Sequence, residues 1–202
     1  MFRKLAVRAV TRAEKLAALY NEYESNPKLK RLREGATQLV RGMGQPRDPW
    51  ILFVGEAPGK EEDLQGQPFV GRSGKILNNM LASINLDRKR DVFVTNIVKY
   101  RPPNNRDPMP SEKEASISCL LREIEIISPE VICPLGKHAL ESLFPNERIT
   151  SAHGVPLYFE GKTFFPMFHP AVMLYDPGKT KEIERDFQKL GELLDKMSET
   201  IE

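Results

Sequence analysis

Four short apolar runs punctuate the chain, with amphipathic stretches between them. Ile51-Leu52-Phe53-Val54, Val92-Phe93-Val94, Val131-Ile132-Cys133-Pro134-Leu135 and Thr163-Phe164-Phe165-Pro166-Met167 each have the length of a buried strand. Pro134 sets the third near a strand end, because proline gives no N–H to a ladder. Elsewhere the apolar residues recur at helical spacing. Leu16, Leu19, Tyr20 and Tyr23 predict a helix over about 12–24, opened by a Thr11/Glu14 capping box and closed at Asn26-Pro27. Ile76, Leu77, Met80, Leu81 and Ile84 predict a second, opening at Arg72-Ser73-Gly74. Ile117, Leu120, Leu121, Ile124 and Ile127 predict a third, with Ser111 and Glu114 as its capping box and Ser128-Pro129 as its stop. Gly136 to Leu143 reads as a short helix. Ile183, Phe187, Leu190, Leu194 and Met197 line the last one.

Strands alternating with helices imply a three-layer α/β/α sandwich around a four-stranded, mostly parallel sheet. The helix between the first two strands makes their connection a right-handed crossover. No internal repeat or low-complexity linker divides residues 1–202, so one domain is expected. In such a sheet, ligands bind beyond the carboxyl ends of the strands. The first strand runs into Gly55-Glu56-Ala57-Pro58-Gly59, an acidic run Lys60-Glu61-Glu62-Asp63, and Pro68-Phe69-Val70-Gly71. A carboxylate, free backbone amides and an exposed Phe are thus expected together. The second strand ends at Thr95-Asn96, before a Pro-, Asn- and Arg-rich loop from Lys99 to Pro110. The fourth delivers Phe168-His169-Pro170.

Composition narrows the picture only slightly. A net charge of +2 says little about partners, and local clusters matter more. Lys28, Lys30, Arg31 and Arg33 are either a solvated face or a set of phosphate contacts. Cys119 and Cys133 fall in apolar segments and read as free buried thiols, which suits a cytoplasmic protein. No run is long enough to span a membrane. Arg8, Arg12, Glu14 and Lys15 interrupt any leader-like apolar region. Gly59-Lys60 after a strand is not a phosphate-binding loop: three residues, not four, separate the glycines, and Glu61 follows the Lys. No GxGxxG follows a strand, so a dinucleotide site has no support.

Three ordered motifs carry a resemblance to a known family. They are Gly55-Glu56-Ala57-Pro58-Gly59 with Glu62-Asp63 and Gln67 to Gly74; Val94 to Lys99 with Arg101 to Arg106; and Phe168-His169-Pro170. Together, from about Arg31 to about Leu174, they resemble the family 4 uracil-DNA glycosylases. The resemblance implies hydrolysis of the bond between uracil and deoxyribose in single- or double-stranded DNA, leaving an abasic site; a monomer is expected. That chemistry needs donors for the departing base, a positioned water, and a base taken out of the stack.

The resemblance assigns roles residue by residue. Asn96 becomes the uracil reader, its amide suiting O4 and N3–H while cytosine offers the reversed pattern; on its own it is also a plausible Asx-turn residue. His169 becomes the donor to uracil O2. Glu56 helps hold the water or the sugar, with the amides of Glu56 and Ala57 on the base. The position two after Gly55, where better-known glycosylases carry a water-activating Asp, is Ala57. Phe69 stacks on the flipped base or is a core Phe, and Glu62 crowds C5 to exclude thymine. Arg72, Ser73 and Gly74 open a helix whose amides suit phosphate. Arg101, Asn105 and Arg106 are DNA-binding candidates. Pro170 to Tyr175 resembles a wedge loop in which Val172, Met173 and Leu174 fill the gap left by the flipped nucleotide, with burial in the core as the rival reading. His138 reads as a surface residue and His153 as a loop residue.

The chain departs from that family in its cofactor. The family's four-iron four-sulfur cluster sits on four Cys, whose positions here fall near Pro27, Lys30, Tyr100 and Ala115. Two separated thiols cannot supply four ligands. No cluster, metal or other cofactor is therefore expected, with Tyr20, Tyr23 and Tyr100 packing in its place. A related branch bonds covalently to DNA through a His in an inserted loop, but Arg101 to Pro110 contains none. Two alternatives stay open: a same-fold glycosylase for another modified pyrimidine, and a non-catalytic protein that binds uracil-containing DNA.

Overall fold

The computed structural model describes residues 10–45 and 49–199. Arg8, read above against a leader, lies outside them. Helix α1 (Arg12–Ser25) starts at the expected Thr11/Glu14 box, where each side chain accepts from the other residue's backbone N–H. A short 3-10 turn (Pro27–Leu29) leads to α2 (Lys30–Glu34). Then come β1 (Met43–Gly44), β2 (Ile51–Gly55), α3 (Lys60–Gln65), α4 (Arg72–Ser83) and β3 (Val92–Asn96). The second half holds α5 (Pro110–Ile127), β4 (Val131–Pro134), α6 (Gly136–Leu143), α7 (Ile149–Ala152), β5 (Leu157–Phe159), β6 (Lys162–Phe164), α8 (Val172–Tyr175) and α9 (Thr180–Glu199).

The sheet runs β1-β3-β2-β4-β6-β5. Its four central strands are parallel, as expected, but two antiparallel edges extend it to six. β1 is only two residues long. β5 is joined to β6 by Glu160-Gly161, both at positive φ, the geometry a two-residue hairpin needs. These edges were too short to give a pattern. The central strands are buried on both faces, which is why they read as unbroken apolar runs. Alternate residues face opposite layers. Leu52, Val54 and Phe93 meet α1 and α5 residues such as Leu19, Tyr20, Leu120 and Ile124. Ile51, Phe53, Val92 and Val94 meet Leu77, Leu81, Phe187 and Leu190 of α4 and α9.

One local expectation is corrected. Helix α5 begins before Ser111: Pro110 takes the first helical position, and Glu112, not Glu114, reaches back to the Met109 N–H at 2.8 Å. The acidic run Lys60-Glu61-Glu62-Asp63 forms the start of α3, where carboxylates suit the positive helix end. No helix among the described residues is long and apolar enough to cross a membrane.

Register places the functional ends. Gly55 pairs with Asn96 at the last step of β2 and β3. A parallel bridge between Leu135 and Met167 carries the β4–β6 alignment onward, so His169 emerges two residues later on the same rim.

Candidate active site at the carboxyl edge of the sheet

Glu56, Ala57, Glu62, Phe69, Ser73, Asn96, Asn105, Arg106, Asp107, His169 and Tyr175 all line one pocket of about 400 Å3. Three motifs far apart in sequence thus meet at the strand ends.

Asn96 is the most constrained of them. It is 2% exposed, and its Nδ2 has no hydrogen-bond partner among the described residues. A buried amide without a partner costs about 1–3 kcal/mol, so a ligand acceptor is the natural complement. Its backbone is fixed from behind. The buried Lys99 ammonium donates to the Asn96 carbonyl at 2.6 Å and to Thr95 Oγ1 and Glu123 Oε2 at 2.5 Å each. Tyr20 closes that network on Glu123. Gly55 has no room for a side chain: a Cβ would lie 2.3 Å from Asn96 Oδ1 and 2.8 Å from the Phe69 ring.

Phe69 is buried, not exposed as expected. It is 4% exposed, and its ring stacks on His169 at 5.6 Å between centroids. Its backbone is left-handed, φ 52°, a conformation that needs support from its neighbours. Arg88 supplies that support, donating to the Phe69 carbonyl at 2.6 Å and the Pro68 carbonyl at 2.5 Å. Glu62 accepts from the N–H groups of Val70 and Gly71 at 3.0 and 2.8 Å. Arg88 gave no signal in the sequence, where it sits in a charged run of surface type.

His169 is enclosed by its neighbours, and burial pushes its pKa down to about 4 despite the Glu62 carboxylate nearby. It is therefore neutral at working pH. Ala171 N–H donates to Nδ1 at 3.1 Å, which leaves the proton on Nε2. His153 anchors the segment behind it. Its Nδ1 lies 2.8 Å from Asp186 of α9, and its ring lies 4.3 Å from that of Phe168. The loop residue of the sequence reading is thus a strut between α9 and the site.

Glu56 is half-buried, and Oε1 has no hydrogen-bond partner among the described residues. Its pKa rises to about 7, through burial first and the Asp107 charge second, with Lys113 pulling the other way. His138 is corrected as well. It is not a plain surface residue, for its Nε2 lies 3.6 Å from Glu56 and 3.3 Å from Asp107. The pattern of α6 alone could not show which way it faced.

The DNA-binding candidates divide. Arg72 is exposed and Ser73 half-buried at the start of α4, whereas Gly74 is buried, and a Cβ there would lie 1.9 Å from the Phe69 carbonyl oxygen. Gly74 thus serves close packing. Arg101 Nε donates to Asn105 Oδ1 at 2.6 Å. Arg106 is held by Glu112 through two bonds of 2.7 and 2.8 Å, so much of its charge is already matched. Arg33 turns inward to the Glu24 carbonyl, leaving Lys28, Lys30 and Arg31 as the exposed part of the basic run. In the expected wedge, Val172 and Met173 pack on the core, while Leu174 and Tyr175 are 38% and 77% exposed.

The cofactor question turns on α1 and α5. Both cysteines are free and buried, and burial raises both thiols. Asn26 Nδ2 donates to the Ala115 carbonyl at 3.3 Å, and Tyr23 stacks on the buried Tyr100 at 5.8 Å. The side chains at these positions, Pro27, Lys30, Tyr100 and Ala115, include no thiolate and do not fit a four-thiolate group. Glu56, Asp107 and His138 hold their ligand atoms within 4.8 Å of one another, as a metal site would. The Lys113 ammonium, 3.4 Å from His138 Nδ1, disfavours a cation there.

A sequence model described as the uracil DNA glycosylase superfamily matches residues 41–192, which include all three motifs. The chain belongs to that superfamily. Within the uracil DNA glycosylases it is 45% identical over 179 residues to a type-4 uracil-DNA glycosylase of Archaeoglobus fulgidus, covering 84% of this chain and 89% of that protein. A type-4 uracil-DNA glycosylase of Sulfurisphaera tokodaii is 44% identical over 167 residues, 78% of this chain and 75% of the relative. A DNA polymerase of Bacillus phage SP01 is 35% identical over 164 residues, 81% of this chain but 18% of the polymerase.

Proposed function

We propose that this chain is a monofunctional uracil-DNA glycosylase, a single cytoplasmic domain acting as a monomer in base excision repair. The observation that carries the reading is the unpartnered Asn96 amide in a pocket also lined by Phe69, His169 and Glu56. A flipped uracil stacks on Phe69, and Asn96 reads its O4 and N3–H. The neutral His169 donates its Nε2–H to O2. A neutral donor suits this task, because it strengthens as charge develops on the base and loses nothing to competing protonation. Glu62, fixed by the Val70 and Gly71 amides, forms the wall that excludes a C5 methyl.

Water adds at the sugar carbon as the bond to uracil breaks; the bonding electrons leave with the base, and the water gives up one proton to Glu56 or to solvent. Glu56, as the anion, orients that water or stabilises the cationic sugar. Arg72, Arg101 and the helix start at Ser73 take phosphates, while Leu174 and Tyr175 fill the vacated stack. The reading includes no iron–sulfur cluster, metal or other cofactor. It is tested on oligonucleotides carrying uracil, hypoxanthine, 5-hydroxymethyluracil or thymine. Release of uracil with thymine untouched is expected. Preferential release of another base would move the assignment to that base, and binding without release would make the protein a reader only.

A further inference from the structure

His138 plays no part in the account so far, yet it faces the carboxylate that matters most. Its Nδ1 lies 3.4 Å from Lys113 Nζ. An ammonium can only donate, so Nδ1 is the acceptor and the ring proton sits on Nε2. That single N–H points between two carboxylates, Asp107 Oδ2 at 3.3 Å and Glu56 Oε1 at 3.6 Å. Asp107 is 75% exposed and can be solvated by water. Glu56 Oε1 is buried, and it is one of two buried side-chain polar atoms without a hydrogen-bond partner among the described residues. The other is the Asn96 amide, already assigned to the base. The two orphans lie in one pocket, and His138 Nε2 faces the first of them.

We propose that His138 is a positioning residue for Glu56, its Nε2–H passing from Asp107 to the orphaned Glu56 oxygen when the pocket fills, so that the carboxylate is held as the anion and aimed at the reacting water or sugar. The inference rests on the glycosylase reading. Its geometry requires only that a half-buried imidazole move a few tenths of an ångström. Every charged group facing Glu56 enters the balance. Asp107, from the loop before α5, opposes its ionisation, and Lys113 of α5 favours it. His138 of α6 favours it through a hydrogen bond to the charged form. Glu62 and His169 line the same pocket, and Arg106 is engaged by Glu112.

The test compares His138→Phe, which keeps ring bulk without the donor, with His138→Gln, whose amide nitrogen reaches about the same place. Single-turnover uracil release is measured against pH for both and for Asp107→Asn. Titration of the Glu56 carboxyl is followed in parallel by carbon NMR, which needs no activity. His138→Phe should move the acid limb of the rate up by about one pH unit, and so slow excision about tenfold on the rising limb. His138→Gln should stay within about threefold of the native rate, and Asp107→Asn should move the limb down. The Glu56 titration should follow the same order. Superimposable profiles for native and His138→Phe, or equal damage in the Phe and Gln variants, would overturn the proposal. So would activity that chelator abolishes and a divalent cation restores, which would make the three side chains metal ligands. If the native protein releases no uracil while Glu56 still titrates as described, the glycosylase reading fails and the contact between His138 and Glu56 stands.

Discussion

Replacing Glu56 by Gln should inactivate the protein and make it more stable, by an amount that grows as pH rises from about 4.5 to about 7. Burial and Asp107 raise the Glu56 carboxyl from 4.5 to about 7. The folded state therefore binds a proton there more tightly than the unfolded chain does. Between these two values stability falls as pH rises, by about 1.4 kcal/mol per pH unit. Ionising Glu56 in the fold thus costs at most on the order of 3 kcal/mol above pH 7, a figure that solvent screening of this partly exposed carboxylate reduces, and nothing below the unfolded value. A Gln of the same shape cannot ionise. Its amide still occupies a place with one unpartnered oxygen, so a net gain of about 2 kcal/mol is expected near pH 8, with none near pH 5. For a chain of this size that is roughly 5 °C in melting temperature. His169 contributes in the opposite sense. Its pKa is lowered from 6.5 to about 4, so stability rises with pH across that window. Both proteins share this contribution, and it cancels in their difference. Urea unfolding of native and Glu56→Gln protein at the two pH values measures the effect. A stability difference that does not depend on pH, or one larger in acid, would refute the argument that Glu56 is forced to carry charge for function.

Asn96→Asp should slow uracil release strongly, since Lys99 still holds the backbone while one amide donor becomes an acceptor; unchanged kinetics would mean that Asn96 does not read the base. Tyr100→Ala should destabilise the protein by roughly 3 kcal/mol, because a ring that is 2% exposed and stacked on Tyr23 is removed. The native protein should be colourless, with a melting temperature indifferent to chelator, and a brown protein with stoichiometric iron would contradict this. Arg72→Ala and Arg101→Ala should each lower the log–log salt slope of duplex binding by about 0.9. Arg106→Ala should lower it less, because Glu112 already engages that guanidinium. Equal effects at all three would show that the pair opens on DNA.

The central strands and long helices were legible because burial on two faces, or on one, leaves a pattern in consecutive residues. β1 and β5 were not, since pairing of two or three residues at an edge leaves almost none. At the site, Glu56, Asn96 and His169 were legible as strand-end residues within motifs. What the sequence could not show was how they are held. Arg88 pins Phe69 from 19 residues away, Glu123 reaches Thr95 and Lys99 from α5, and His153 braces Phe168 against Asp186. Each of these is a long-range contact made by a residue type that ordinarily faces water. His138 was misplaced for the same reason: helical spacing says which residues share a face, not what a facing loop brings to it. Phe69 was expected exposed because the loop looked open. The support of its backbone by Arg88, and the packing of Gly74 beneath it, turn the ring inward.

The most direct test is single-turnover incubation of iron-free native protein, in chelator, with an oligonucleotide containing one uracil. Free uracil and an alkali-sensitive abasic site should appear in equal amounts, with a rate that rises with pH through about 7 as Glu56 ionises. Intact DNA on both single- and double-stranded substrate, or excision only after iron is restored, would contradict the account.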